Sequence, residues 1–154
     1  MSGELKGGND PGQQQGASHG QLQEFFEGDA FAAKCGIELL EFSPGKARCK
    51  MTVGPEHLNG FGVCHGGAVF TLADFAFAAA SNSHGNLAMA INANISFVKA
   101  VNAGVLYAEA WEETRNPRLG TYAIRVTDEA GDTAAVFQGL VYRKNTPVTE
   151  FLGR

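Results

Sequence analysis

The chain has 154 residues, 44% hydrophobic and 18% charged, which is typical of one globular domain that can bury a sizeable core. A formal net charge of −4 argues against nucleic acid or an anionic membrane surface as a partner. No apolar run reaches the length of about eighteen residues that a membrane-spanning helix needs, and the chain's start lacks the pattern of a secretory signal.

The N-terminal residues 1–20, rich in glycine and glutamine, offer little apolar surface to bury and are predicted to form a disordered tail. The folded domain is expected over 21–145, followed by a flexible C-terminal tail over 146–154. A helix is predicted over 21–34, weakened or broken near Gly28, because apolar residues recur there at helical spacing.

A hairpin is predicted next, formed by a strand over 37–42, a turn at 43–45 and a second strand. The second strand has the most regular alternation in the chain, and its apolar positions are Ala47, Cys49, Met51 and Val53. A glycine-rich loop over 54–65 then leads to a helix predicted from Gly66 to about Ser81. Its apolar residues point in every direction around the axis, which indicates a helix buried on all sides.

The remaining chain is predicted to form four strands, over 87–98, 104–115, 119–129 and 132–143. Their short connections predict antiparallel pairing between neighbours in the chain. The expected fold is α+β, a long curved antiparallel sheet folded around one central apolar helix.

Cysteine and histidine spacings limit the possible chemistry. Three cysteines without CxxC spacing are typical of free thiols in a reducing compartment, so we expect a cytoplasmic protein. The four histidines lack HxH or HxxxH spacing, which predicts no metal site. Cys64 precedes His65, but neighbouring side chains of an extended loop point apart, and we expect Cys64 to pack as a small hydrophobic residue.

One carboxylate, Asp74, interrupts the apolar helix. An ionised carboxylate is costly to bury without a partner, and Asp is a poor residue for a helix interior. In one interpretation Thr71 caps a helix that starts later, and Asp74 completes a capping box. In another, Asp74 faces solvent or a buried arginine. In the third, Asp74 is catalytic.

The start of the same helix favours the catalytic interpretation. His65-Gly66-Gly67 leads into its first turn, where unpaired N–H groups can stabilise a carbonyl oxygen that becomes negative. The two glycines also let a ligand approach the backbone closely. Gly66 and Asp74 are separated by about 12 Å along one helix, so both can act on one group only if Asp74 comes from another subunit. This spacing predicts a two-fold homodimer with shared active sites.

The stretch LNGFGVCHGGAVFTLADFAFAAASNSHG resembles the core motif of hotdog-fold acyl-CoA thioesterases of the phenylacetate-degradation type. ISFVKAVNAGVLYAEAWEE and YAIRVTDEAGDTAAVFQGLVYR are similar too, so the resemblance covers roughly 25–143. It implies a hotdog fold, dimers that pair their sheets edge to edge, and homotetramers of two such dimers. It further implies hydrolysis of an acyl-CoA to a carboxylic acid and CoA without metal or cofactor, and favours aromatic acyl groups such as phenylacetyl.

The resemblance also implies roles for individual residues. Asp74 matches the catalytic carboxylate, either general base or nucleophile, and the Gly66 N–H would polarise the thioester carbonyl. Asn59 and His65 match polar positions that orient the site or the attacking water, and Gly67 adjoins the bound substrate. Family members often carry Ser or Thr on the strand after the helix. This chain has asparagines there, so either Asn92 or Asn94 replaces that residue or the role is absent, and Asn92 is the candidate retained. The residues expected to contact the CoA phosphates are Lys99, Arg115 and Arg118.

Two other functions remain open at this point. A hydratase or dehydratase of the same fold would use His65 as the acid-base group and would leave the thioester intact. A non-catalytic acyl-CoA sensor would keep the pocket and turn nothing over.

Overall fold

The computed structural model describes residues 16–154, so most of the predicted N-terminal tail lies outside the described residues. Its helices are α1 (His19–Glu27), α2 (Ala30–Lys34) and α3 (Gly66–Asn82). Its strands are β1 (Ile37–Ser43), β2 (Lys46–Val53), β3 (Asn86–Phe97), β4 (Gly104–Arg115), β5 (Leu119–Thr127) and β6 (Thr133–Pro147). Short 3₁₀ turns cover Pro55–His57 and Val148–Phe151. The predicted α+β arrangement of one antiparallel sheet around a central helix is confirmed.

The first helical segment is divided where the sequence predicts a break. Gly28 ends α1, and Asp29 then caps α2 by accepting a hydrogen bond from the Ala32 N–H at 2.9 Å. The helix α1 begins earlier than expected, at His19, because Ser18 and Gln21 form a reciprocal capping box. The prediction that the tail extends to residue 20 is therefore wrong at its last residues.

The six strands form one sheet in the order β1-β2-β4-β5-β6-β3, with every pair antiparallel. The prediction that all chain neighbours pair is wrong for β3 and β4. The strand β3 pairs with β6 at the sheet edge, and the chain then returns to place β4 beside β2. Residues 98–103 make this return. Three strand spacings amount to about 14 Å, which an extended six-residue segment can span.

The core lies between α3 and the concave face of the sheet. Leu72, Ala73 and Ala76 of α3 are fully buried against this face. The predicted alternation holds in the strands, whose buried core positions include Cys49, Met51, Leu106, Ala108, Ile124 and Val126. No helix within residues 16–154 is long and apolar enough to cross a membrane.

Asn82 ties the C-terminal end of α3 to β3. Its side-chain oxygen accepts a hydrogen bond from the Ala88 N–H at 2.8 Å, and its Nδ2 donates to the Ala88 carbonyl at 3.1 Å. Asn82 is 4% exposed, so both hydrogen bonds are shielded from water. The helix and the edge strand are thereby held at a fixed distance across a turn of three residues.

The C-terminal segment is packed, although the sequence predicted a flexible tail there. The strand β6 continues to Pro147, and the following Val148 is fully buried. The Val148 N–H donates to the Gly85 carbonyl at 2.9 Å, and the last 3₁₀ turn packs against α1. The prediction of a tail over 146–154 failed because the burial of Val148 depends on two elements that are distant in sequence.

Candidate active site

The first turn of α3 has one free donor among the described residues. His65 caps the helix, its Nδ1 accepting from the Gly67 N–H at 2.8 Å and its carbonyl accepting from the N–H groups of Ala68 and Val69. The Gly66 N–H has no acceptor within residues 16–154. A partial positive charge at the helix start reinforces this donor. Gly66 therefore presents the N–H that the sequence analysis assigned to carbonyl binding, whereas the N–H of Gly67 is already used.

The loop before the helix is ordered by Asn59. Its side-chain oxygen accepts from the N–H groups of Phe61 at 2.9 Å and Val63 at 3.3 Å. Gly62 takes a φ of +76°, which favours glycine, and its N–H donates to the Asn59 carbonyl. The Asn59 side-chain NH₂ makes no hydrogen bond in the part of the chain that the structure describes. Asn59 thus shapes the loop and keeps two donors available.

Asp74 lies half-buried in the middle of α3. Burial raises the pKa of its carboxyl, and the negative charge of Asp29 raises that pKa further. The capping-box interpretation is wrong, because α3 begins at Gly66 and the Thr71 hydroxyl donates to the Gly67 carbonyl at 2.7 Å. The buried-arginine interpretation also fails, since Asp74 forms no ion pair among residues 16–154. A carboxylate that is destabilised without a partner is typical of an active site.

An apolar recess of about 420 Å³ opens beside Gly66. Its apolar lining includes Val63, Val69, Phe97, Val98, Val101 and Leu106. The ring of Phe97 contacts Gly66 closely, because a Cβ added to Gly66 would lie 3.1 Å from the Phe97 Cζ. Cys64 is buried at the recess wall, as expected for a small hydrophobic residue, and burial raises the pKa of its thiol.

The structure separates Lys99 from the other two basic residues predicted at the CoA phosphates. Lys99 lies at the opposite end of the β4–β5 pair from Arg115 and Arg118. The Lys99 ammonium is paired with Asp128 at 2.5 Å and with Asp132 at 2.8 Å. Arg118 lies exposed in the turn between β4 and β5. Asn92, predicted to replace a family Ser or Thr, is exposed on β3 beside a bulge.

Arg115, the third predicted phosphate ligand, belongs to a polar network that the sequence analysis missed. Its Nη1 donates to Nδ1 of His84 at 2.6 Å, so the opposite ring nitrogen of His84 donates to Glu112 at 2.8 Å. The hydroxyl of the fully buried Tyr122 also donates to Glu112. Burial raises the pKa of Glu112, but these hydrogen bonds outweigh it and leave that pKa below its usual value. The network joins the C-terminal end of α3 to β4 and β5, away from Gly66.

The sequence model of the Thioesterase superfamily matches residues 61–135 of this chain. The acyl-coenzyme A thioesterase PaaI of Escherichia coli (strain K12) is 38% identical over 125 residues, which are 80% of this chain and 89% of that protein. The chain belongs to the thioesterase superfamily. The enzyme class that the resemblance implied, a hydrolase acting on thioester bonds, is confirmed.

Solved structures give the same assignment. The structure of the E. coli PaaI protein from the phenylacetic acid degradation operon has a TM-score of 0.80 and 36% identity, covering 84% of this chain and 97% of that one. The TT0310 protein from Thermus thermophilus has a TM-score of 0.72 and 37% identity, covering 75% of this chain and 98% of that one. The hotdog fold predicted from the resemblance is confirmed.

Proposed function

We propose that this thioesterase hydrolyses acyl-CoA to a carboxylic acid and free CoA, with phenylacetyl-CoA or a related aromatic acyl-CoA as its preferred substrate. The observation that carries the proposal is the free N–H of Gly66, located at a helix start and beside an apolar recess. A thioester carbonyl that accepts from this N–H becomes more electrophilic, and the N–H stabilises the negative oxygen of the tetrahedral intermediate.

Asp74 supplies the second half of the reaction. Its carboxylate either removes a proton from the attacking water or attacks the carbonyl carbon and is later released by water. In both routes the C–S bond breaks and CoA leaves as a thiolate, which then takes up a proton. Asn59 orders the loop that leads to Gly66, and His65 caps the helix that Gly66 starts. Both residues are assigned the orientation of the substrate or the water.

The active site is proposed to form between two copies of the chain. Gly66 and Asp74 are on one rigid helix, about 12 Å apart, so each site combines Gly66 of one subunit with Asp74 of its partner. The outer edge of β3, which pairs with no other strand within residues 16–154, supports this assembly. Its exposed residues include Met89 and Ile91. A long edge strand with exposed apolar side chains is a surface on which another strand pairs. Two such dimers would form the proposed homotetramer.

Asp29 is expected to influence the pH dependence of this reaction. The reactive form of Asp74 is the carboxylate, so activity falls as the pH drops through the raised pKa of Asp74. Asp29→Asn removes the neighbouring negative charge, while its side-chain oxygen can still accept the capping hydrogen bond from Ala32. The acidic limb of the kcat/KM profile should therefore move to lower pH.

A matched control is Glu27→Gln, which removes a carboxylate from the rim of the cavity that Asp29 also lines. Glu27 does not shift the pKa of the Asp74 carboxyl, so the kcat/KM profile of Glu27→Gln against pH should coincide with that of the wild type. An unchanged acidic limb in Asp29→Asn, or the same movement in both variants, would show that Asp29 does not tune Asp74.

Thiol release separates the proposed function from its alternatives. A thiol-reactive dye is used to measure CoA liberated from a panel of phenylacetyl-, benzoyl-, hexanoyl- and crotonyl-CoA. Hydrolysis is expected, and it should be fastest with an aromatic acyl group. A hydratase would consume the double bond of crotonyl-CoA without releasing thiol, and a sensor would bind the panel without changing it. No release above background from any member would refute the proposal.

A further inference from the structure

Phe97 occupies a position that the mechanism does not use. It ends β3, is 55% exposed, and still packs its ring edge on the first residue of α3. A Cβ built on Gly66 would lie 3.1, 3.4 and 3.6 Å from three atoms of that ring. Pairing along the proposed β3 interface would cover part of this exposed surface, but it does not account for the contact between the ring and the backbone beside the Gly66 N–H.

The ring is also close to the place where the thioester would react. A Cβ position lies about 2.5 Å from the nitrogen of its own residue, so the Phe97 ring edge is within about 6 Å of the Gly66 nitrogen. A carbonyl oxygen bound to that nitrogen would sit at about 2.9 Å from it. The first carbons attached to such a carbonyl are therefore within reach of contact with the Phe97 ring.

The recess that continues from Phe97 suits an acyl group better than the pantetheine arm. Two amides of pantetheine need hydrogen-bond partners, whereas the side chains that line the recess are mainly apolar. Its one charged residue, Lys99, is already paired with Asp128 and Asp132. A volume of about 420 Å³ is within the range of small-molecule pockets.

We propose that Phe97 is a specificity-determining residue, whose ring forms the wall of the acyl pocket next to the thioester carbonyl and favours aromatic acyl groups. This inference rests on the proposed function for the hydrolysis itself. It adds that the acyl group, and not the pantetheine arm, enters the recess. Contact between two aromatic rings is more favourable than contact between a ring and an alkyl chain of similar area. Selectivity for an aryl group over a linear chain follows from that difference.

The test compares phenylacetyl-CoA with hexanoyl-CoA in Phe97→Leu, Phe97→Tyr and the wild type. The ratio measured is kcat/KM for phenylacetyl-CoA divided by kcat/KM for hexanoyl-CoA. Phe97→Leu is expected to lower this ratio about tenfold, mainly by lowering kcat/KM for phenylacetyl-CoA. Phe97→Tyr keeps the ring and should keep the ratio. Phe31→Leu is the matched control, because Phe31 is 66% exposed but lies on α2 outside the recess.

Binding supplies a readout that does not depend on turnover. Calorimetry with non-hydrolysable thioether analogues of both substrates should show the same loss of preference in Phe97→Leu. If the wild type releases no CoA but the analogues show this loss, the proposed function fails and the role of Phe97 stands. Equal effects on both acyl groups, or an equal change in Phe31→Leu, would overturn the role of Phe97.

Discussion

Asp74→Asn is expected to lower kcat for phenylacetyl-CoA by about 1,000-fold at pH 7. The amide keeps the size of the side chain but neither accepts a proton from water nor attacks a carbonyl. Steady-state thiol release measures this loss. Glu113→Gln, the same change at an exposed position of β4, should leave kcat unaltered. Activity retained in Asp74→Asn would refute the catalytic role of this carboxylate.

The same substitution should make the protein more stable at pH 7. Burial and Asp29 raise the pKa of Asp74 above its ordinary value of 3.8, so the native state binds more protons than the unfolded state between the two pKa values. Stability therefore falls as the pH rises through this window, and the unfavourable contribution is complete above it. Urea unfolding should show a higher midpoint for Asp74→Asn at pH 7, with a difference that shrinks as the pH approaches 3.8.

Gly66→Pro is expected to lower kcat by about 100- to 1,000-fold, the effect of removing one oxyanion donor. Proline has no N–H, yet the first position of a helix is where proline is tolerated. The preceding residue, His65, already has a ψ of 135°, which is compatible with a following proline. The helix should therefore remain intact, as circular dichroism can verify.

Gly66→Ala is the matched control for this substitution. It keeps the N–H and introduces the same Cβ contact with Phe97, so its loss of kcat should be smaller than about tenfold if the N–H is the main contributor. Equal losses in Gly66→Pro and Gly66→Ala would assign the effect to crowding by Phe97 instead.

Mixing the two variants tests the proposed shared site. A heterodimer of Asp74→Asn and Gly66→Pro has one site with an intact Gly66 and an intact partner Asp74. Random exchange of subunits should restore up to about a quarter of the wild-type activity, since half of the dimers are mixed and each has one working site. No recovery after verified subunit exchange would contradict a site formed between subunits.

The local patterns of the sequence were sufficient for the central helix and for most strands. The alternation over Ala47–Val53 and the apolar stretch after Gly66 depend only on neighbouring residues, and both elements were predicted within a few residues of their observed bounds. Sheet order was not predictable in this way. The pairing of β3 with β6 joins residues as far apart in the chain as Asn86 and Pro147, and nothing in either strand alone specifies the other.

Among the candidate site residues, those that depend on neighbouring residues were predictable and those that depend on distant elements were not. The free N–H of Gly66 was predictable because it depends on the helix start alone. The partners of Arg115 and Lys99 were not, because they come from other parts of the fold. Arg115 meets His84 from the turn after α3, and Lys99 meets Asp128 and Asp132 from the connection between β5 and β6. Phe97 was missed because its contact with Gly66 arises only when the end of β3 folds over the start of α3.

The clamp that Asn82 forms between α3 and β3 has a consequence for the proposed homodimer. Because this clamp fixes α3 relative to β3, a partner that pairs along the β3 edge also receives a fixed position relative to the helix. The register of strand pairing would then set the separation between one subunit's Gly66 and the other's Asp74. A slip of two residues along the edge would displace those groups by about 7 Å, so the geometry of the catalytic site would depend on the register of the subunit interface.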